Sequence, residues 1–176
     1  PIGGYNVIIE NMLKDVEVEL GVDFFANRQE LEASAEKVVF TGMIDQYFDY
    51  KHGELEYRSL RFEHEVLDEE NYQGNAVVNY TEREIPYTRI IEHKHFEYGT
   101  QDKTVITREY PADWKRGDEP YYPINDERNN AMFANYQEEA TQNDKVIFCG
   151  RLADYKYYDM HVVIERALNV IEEEFK

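Results

Sequence analysis

Residues 146–168, VIFCGRLADYKYYDMHVVIERAL, pass from an apolar run through Gly150 and a tyrosine cluster into a helical repeat. Strand, glycine turn and helix in this order build one side of an anion cradle. The helix N-terminus offers backbone N–H groups and a positive dipole end, and Arg151 adds a fixed charge. A dinucleotide site of this kind opens elsewhere in its chain with GxGxxG after a first strand. No such spacing occurs in these 176 residues. The chain carries a closing half without the opening half, and any account of its fold must accommodate that.

Composition narrows the partners. A hydrophobic content of 42% supports the core of one domain, or of one domain with pieces of another. The formal charge of −18 and the pI near 4.6 disfavour a nucleic-acid backbone or an anionic membrane surface, both of which need clustered Lys and Arg. An anionic ligand must then be held by a few arginines inside a cleft, against the overall field. Cys149 is the single cysteine, so neither a disulfide framework nor a thiolate metal cluster is expected, and a reducing, cytoplasmic setting fits. No run of eighteen apolar residues and no signal-peptide pattern is present. The sequence starts at Pro1 inside a glycine turn, which reads as the carboxy-terminal part of something longer.

Along the chain, Tyr5, Ile8, Ile9, Met12 and Leu13 recur at helical spacing, predicting a helix that ends near Lys14-Asp15. Val16, Val18 and Leu20 alternate and predict a strand. Asn27 to Glu36 reads as a short helix or loop, and KVVFTG as a buried strand closed by Gly42. From Gln46 to Tyr110 the pattern is mainly strand: ELEYRSLRFEHEV, NAVVNYTE, YTRIIEHKHFE and KTVITREY, separated by Pro86 and by YGTQDK. Consecutive strands with short links predict an antiparallel sheet. A proline-rich loop from Asp113 precedes a helix with Met132, Phe133, Tyr136 and Ala140 on one face. The last helix, from about Met160 to Phe175, carries Ile164, Leu168, Ile171 and Phe175 as a stripe. The fold class is α+β, largely antiparallel sheet with flanking helices. Residues 1–15 read as a helix of a preceding region, 16–145 as a substrate-binding sheet domain, and 146–176 as the closing strand and helix of a cofactor domain.

Several residues are suited to chemistry. Fifteen tyrosines, some in doublets, supply flat apolar faces with polar tips, which suit sugars and nucleobases but also the rim of a core. Arg89 shares strand parity with Tyr87 and Ile91; it either pairs with a carboxylate such as Glu109 or faces a cleft that takes a phosphate. His93 and His95 flank Lys94 on one strand, a nonspecific pattern read as structural, with no metal site expected. Glu109 serves as general acid or base only if a cleft perturbs it. Asp159 sits where a helix begins and reads as a cap. Glu172 to Glu174 form a solvated helix end.

Taken together, VVNYTEREIPYTRIIEHKHF, TREYP, EPYYPIN and GRLADYKYYDMH, in this order and spacing, resemble the carboxy-terminal half of the bacterial UDP-galactopyranose mutase family of flavoenzymes. The likeness runs over nearly the whole chain from GGY onward. It implies that the glycine fingerprint belongs to a region amino-terminal to this sequence, within a larger FAD-binding, Rossmann-like mutase fold. By motif, Arg89 would hold the diphosphate of a UDP-sugar, and Asn79 would contact the substrate. Tyr122 and Tyr157 would also donate to the diphosphate, with Glu109 near the site. Gly150 and Arg151 would lie against the flavin pyrophosphate, with Tyr158, Asp159 and Met160 near the ribityl chain and ring. Two departures stand out: DMH where DMD is more usual, and acidic residues around Asp118-Glu119.

The resemblance implies isomerisation of UDP-galactopyranose to UDP-galactofuranose with no net redox change. Reduced FAD would do the covalent work while the protein positions substrate and stabilises the departing diphosphate. The implied partner is UDP-galactose in both ring forms, with no nucleic acid or membrane, and a homodimer of the longer protein is compatible. The isolated chain, missing half of the flavin site, is expected to be inactive. Two other readings stay open: a nucleotide-sugar-binding module without flavin, and a relative of the flavin amine oxidases.

Overall fold

The computed structural model describes residues 3–175; Pro1, Ile2 and Lys176 lie outside the described residues. The elements, in order, are α1 (Asn6–Met12), α2 (Arg28–Ser34), β1 (Val38–Phe40), α3 (Ile44–Tyr47), β2 (Tyr57–Leu67), β3 (Val77–Asn79) and β4 (Arg89–Glu92). A 3₁₀ turn (His93–Phe96), β5 (Thr104–Asp113), β6 (Tyr122–Pro123), α4 (Glu127–Ala140), β7 (Val146–Phe148) and α5 (Met160–Glu174) follow. The class is α+β. One sheet has the order β3-β4-β5-β2-β6, and β1 pairs with β7 in a second.

The chain divides into two compact units. The first comprises Pro1–Val22 and Leu60–Ala112. In it β3 runs antiparallel to β4 with Asn79 opposite Arg89, and β4 runs antiparallel to β5 with Arg89 opposite Glu109. Ile90 and Ile106 are fully buried on one face, as period-2 alternation requires. Polar groups are buried there too, Glu92 and Thr104 among them. The carboxylate of Glu92 accepts from Tyr72 N at 3.0 Å, Gln73 N at 2.9 Å and the Thr104 hydroxyl at 2.7 Å. This pins the loop before β3 onto the end of β4.

The second unit comprises Asp23–Ser59 and Asp113–Lys176. β1 and β7 are parallel, Val38 opposite Val146 and Phe40 opposite Phe148, a pairing that needs the long intervening chain. Phe40, Tyr47 and Val146 form one core, with Phe24, Phe25 and Phe148 against it. Ile44, Leu55, Tyr57, Phe133, Tyr136 and Tyr155 form the other. α4 begins at Asp126, whose side chain accepts from Asn129 N at 2.8 Å, so its first turn is capped. The expected face of this helix is present, with Phe133 and Tyr136 buried.

Three sequence expectations change. The predicted strand at Val16, Val18 and Leu20 does not form: no ladder pairs these residues, and all three side chains are exposed. β-propensity expresses packing against a neighbour, and here none is present. The strand expected to run through YTRIIEHKHFE stops at Glu92, and His93 to Phe96 turn as 3₁₀ helix, so His93 and His95 do not share a strand. The loop before α4 contains the short strand β6, whose Tyr122 and Pro123 pair with Arg58 and Tyr57 of β2.

Candidate functional site

The first unit brings together three of the five residues that the resemblance linked to the substrate. Asn79, Arg89 and Glu109 form a row across β3, β4 and β5 because the register sets them side by side. Arg89 donates from Nε to Asn79 Oδ1 at 2.9 Å, and Nη1 reaches Glu109 Oε2 at 3.5 Å. The Asn79 bond orients the guanidinium plane. The Glu109 contact is long, and the other carboxylate oxygen accepts from the Thr88 hydroxyl, also at 3.5 Å. Glu109 is buried while about two fifths of the Arg89 side chain is exposed. Of the two alternatives for Arg89, the carboxylate contact to Glu109 is present, and the side chain stays part exposed. A loosely held, half-exposed guanidinium on a fixed plane is matched to a phosphate or diphosphate.

The second unit groups the remaining candidates. Tyr122 on β6 and Tyr157 lie with ring centres 5.6 Å apart, and the Arg151 guanidinium sits 5.0 Å from the Tyr157 ring centre. Arg151 donates from Nη2 to the Tyr121 carbonyl at 2.7 Å, and no carboxylate pairs with it among the described residues. Arg58, the register partner of Tyr122, is exposed and likewise has no carboxylate ion pair among the described residues. Sequence reasoning missed Arg58. Its only signal was a basic residue within a strand pattern, and its relation to Tyr122 depends on a register that spacing does not disclose.

The glycine turn is built by Asp154. Its Oδ2 accepts from Gly150 N at 3.2 Å, from the Tyr158 hydroxyl at 3.3 Å and from Arg166 Nε at 3.3 Å. Gly150 has φ +102°, and a Cβ there would meet nothing closer than Thr41 at 3.6 Å, so conformation, not space, selects glycine. Tyr155 closes the turn at φ +47°. Its buried hydroxyl donates to the Glu56 carbonyl at 2.5 Å and accepts from Ile124 N at 3.1 Å. Burial pushes that hydroxyl well above its ordinary range. Asp159 stands at the N-cap of α5 but makes no side-chain cap bond; it accepts from the Tyr157 hydroxyl at 3.3 Å. Met160 is exposed. Burial also pushes the Cys149 thiol up, so it is no activated nucleophile.

FAD, implied by the resemblance, can be tested against this donor set. Gly150 N–H is spent on Asp154, so glycine contributes its turn conformation and not a free donor. Arg151, free of carboxylates, and the uncapped N-terminus of the fifteen-residue α5 suit an anionic pyrophosphate and a polar ring edge. The residues fit one side of such a cofactor. A cleft of about 360 Å³ lined by residues including Lys37, Phe133, Phe148, Arg166 and Val170 contains none of the candidate substrate or cofactor residues named above.

Among the described residues no group of three or more His, Cys, Asp or Glu side chains converges as a metal site, and no helix is long and apolar enough to cross a membrane.

Comparison with known proteins agrees with the motif resemblance. Residues 1–157 match the family model described as UDP-galactopyranose mutase. The chain is 35% identical over 174 residues to a dTDP-fucopyranose mutase of Escherichia coli, covering 96% of this chain and 46% of the relative. It is 35% identical over 173 residues to a probable UDP-galactopyranose mutase of Klebsiella pneumoniae, covering 97% and 44%. It is also 35% identical over 188 residues to the UDP-galactopyranose mutase of Mycoplasma pneumoniae, covering 98% and 47%. The chain thus spans about half the length of the curated relatives it matches. The family match, the ordered motifs and the α+β fold agree, and the chain belongs to the UDP-galactopyranose mutase family.

Proposed function

We propose that this chain supplies the diphosphate-binding sheet and the closing side of the flavin cradle in a mutase that interconverts UDP-galactopyranose and UDP-galactofuranose. The row Asn79, Arg89, Glu109 carries this reading, because it presents an oriented, loosely paired guanidinium on an otherwise acidic chain. The diphosphate would displace the weak Glu109 contact and take the fork in two parallel bonds. As the bond between the anomeric carbon and the phosphate oxygen breaks, negative charge grows on the diphosphate. Arg89 would stabilise that charge, and the family resemblance assigns diphosphate contacts to the hydroxyls of Tyr122 and Tyr157 as well. Asn79 holds Arg89 in plane, and Glu109, once released, accepts from a sugar hydroxyl. Arg151 and the start of α5, with Tyr158, Asp159 and Met160, would hold the FAD, which when bound and reduced would supply a nucleophilic centre. With one side of the cradle in this chain, turnover belongs to the longer polypeptide.

A second substrate reading, dTDP-fucopyranose, is favoured by the Escherichia coli relative, which has the same identity. Both ligands carry a nucleoside diphosphate, so Arg89 serves either. In the full-length protein, Arg89→Ala is expected to weaken UDP binding about 10- to 100-fold, measured by titration calorimetry, and to leave flavin absorbance per mole of protein unchanged. Unchanged UDP affinity, or loss of flavin, contradicts the assignment of this residue.

A further inference from the structure

The histidines that are two apart in the sequence turn to different partners. His95 Nε2 lies 3.0 Å from Glu92 Oε2. His93 Nε2 instead lies 2.6 Å from Thr107 Oγ1, and His64 Nδ1, arriving from β2, lies 2.8 Å from the same oxygen. Two imidazole nitrogens from opposite sides of β5 therefore converge on one point. Thr107 is only 2% exposed, which closes the floor, while both histidines are solvent-exposed, which leaves the approach open.

The Thr107 hydroxyl carries one proton and can donate to one ring only, so at least one ring must present N–H to it. A cation beside that oxygen would instead take a lone pair from each neutral ring. Zinc–imidazole distances are about 2.0–2.1 Å, so two exposed side chains need only a small displacement to reach an ion near the hydroxyl. The surrounding charge permits this. Lys94 is spent on the carbonyls of Glu70 and Gln101, and His95 faces Glu92. Arg89, on the same sheet, is held by Asn79 and Glu109. The net charge of −18 draws cations toward the molecule.

We propose that His64 and His93 form an open site for a divalent transition-metal ion, with water in the remaining positions. Two nitrogen donors without a carboxylate cage exclude Mg²⁺ and Ca²⁺ as preferred ions, and the single cysteine belongs to the other unit. Zn²⁺, Ni²⁺ and Cu²⁺ are the ions that imidazole suits. With two protein ligands the ion is exchangeable, so its role is to add positive charge to the sheet carrying Arg89, not to hold the fold.

The test is titration of Zn²⁺ and Cu²⁺ into the chain, followed by imidazole NMR and by nitrogen hyperfine structure in the Cu²⁺ EPR spectrum. One equivalent should bind and perturb His64 and His93. Affinity should fall roughly tenfold or more in His64→Gln and in His93→Gln, and stay unchanged in His95→Gln and His161→Gln. Thr107→Val, which keeps the side-chain shape and removes the hydroxyl, should retain the site, with circular dichroism confirming that each variant folds. Unchanged affinity in both His64→Gln and His93→Gln, equal loss in His95→Gln or His161→Gln, or no saturable binding below about 1 mM overturns the proposal.

Discussion

Glu92 has no exposed surface and is nonetheless held as an anion. Burial opposes its charge, but the Tyr72 and Gln73 N–H groups, the Thr104 hydroxyl and His95 outweigh that penalty and pull the carboxyl down to about 2. Because its folded value lies below its ordinary 4.5, the ionised group contributes stability that is fully present above that value. The contribution is lost as pH falls toward 2. Glu92→Gln is therefore expected to cost about 2–3 kcal/mol at pH 7, with the difference from the parent shrinking between about pH 4.5 and 2. Urea melts across that range check it, and a difference independent of pH contradicts it. At this scale the sequence disclosed one partner, Glu109 for Arg89, but few others. Arg89 stood out because an arginine shared parity with Tyr87 and Ile91. Arg58 and Glu92 did not, because their roles come from register and from a loop that folds back.

Helix ends show how far local pattern carries. Both long helices were legible from 3.6-residue periodicity, and both begin at aspartate, yet the two aspartates do different work. Asp126 caps α4, while Asp159 faces Tyr157 and leaves α5 uncapped. Asp126→Ala should lower stability by about 1 kcal/mol, within the usual range for a lost cap, whereas Asp159→Ala should change it by less than about 0.5 kcal/mol. Equal effects in thermal or urea melts contradict the distinction. Strands were less legible. KVVFTG and KTVITREY formed strands because each has a neighbour, although Val39 in the first, read as buried, is exposed. Val16 to Leu20 alternates equally well and stays unpaired, since a strand is a property of two segments.

Over the whole molecule, charge and apolar surface pull in opposite directions. The stripe read on the last helix is real, but Ile164, Leu168, Ile171 and Phe175 are 47–61% exposed. Sequence shows that a stripe exists and does not show what covers it. At neutral pH the net charge of −18 keeps copies apart, and near the pI of about 4.6 that protection vanishes. Leu168→Glu is expected to reduce self-association near pH 5 in sedimentation experiments while changing stability by no more than about 0.5 kcal/mol. A large stability loss would mean that the stripe is part of this chain's own core. The fold class and the family were legible because several long motifs occur in order. The Asn79–Arg89–Glu109 row and the Tyr122–Tyr157–Arg151 group were not, because each depends on strand register or on where the glycine turn places its side chains. The most direct measurement is conversion of UDP-galactofuranose to UDP-galactopyranose by the full-length protein, run side by side with dithionite-reduced and oxidised flavin. Turnover with the reduced form alone, abolished by Arg89→Ala without loss of flavin, is the predicted result. Bound flavin without turnover on UDP-galactofuranose, or turnover that survives Arg89→Ala, would contradict it.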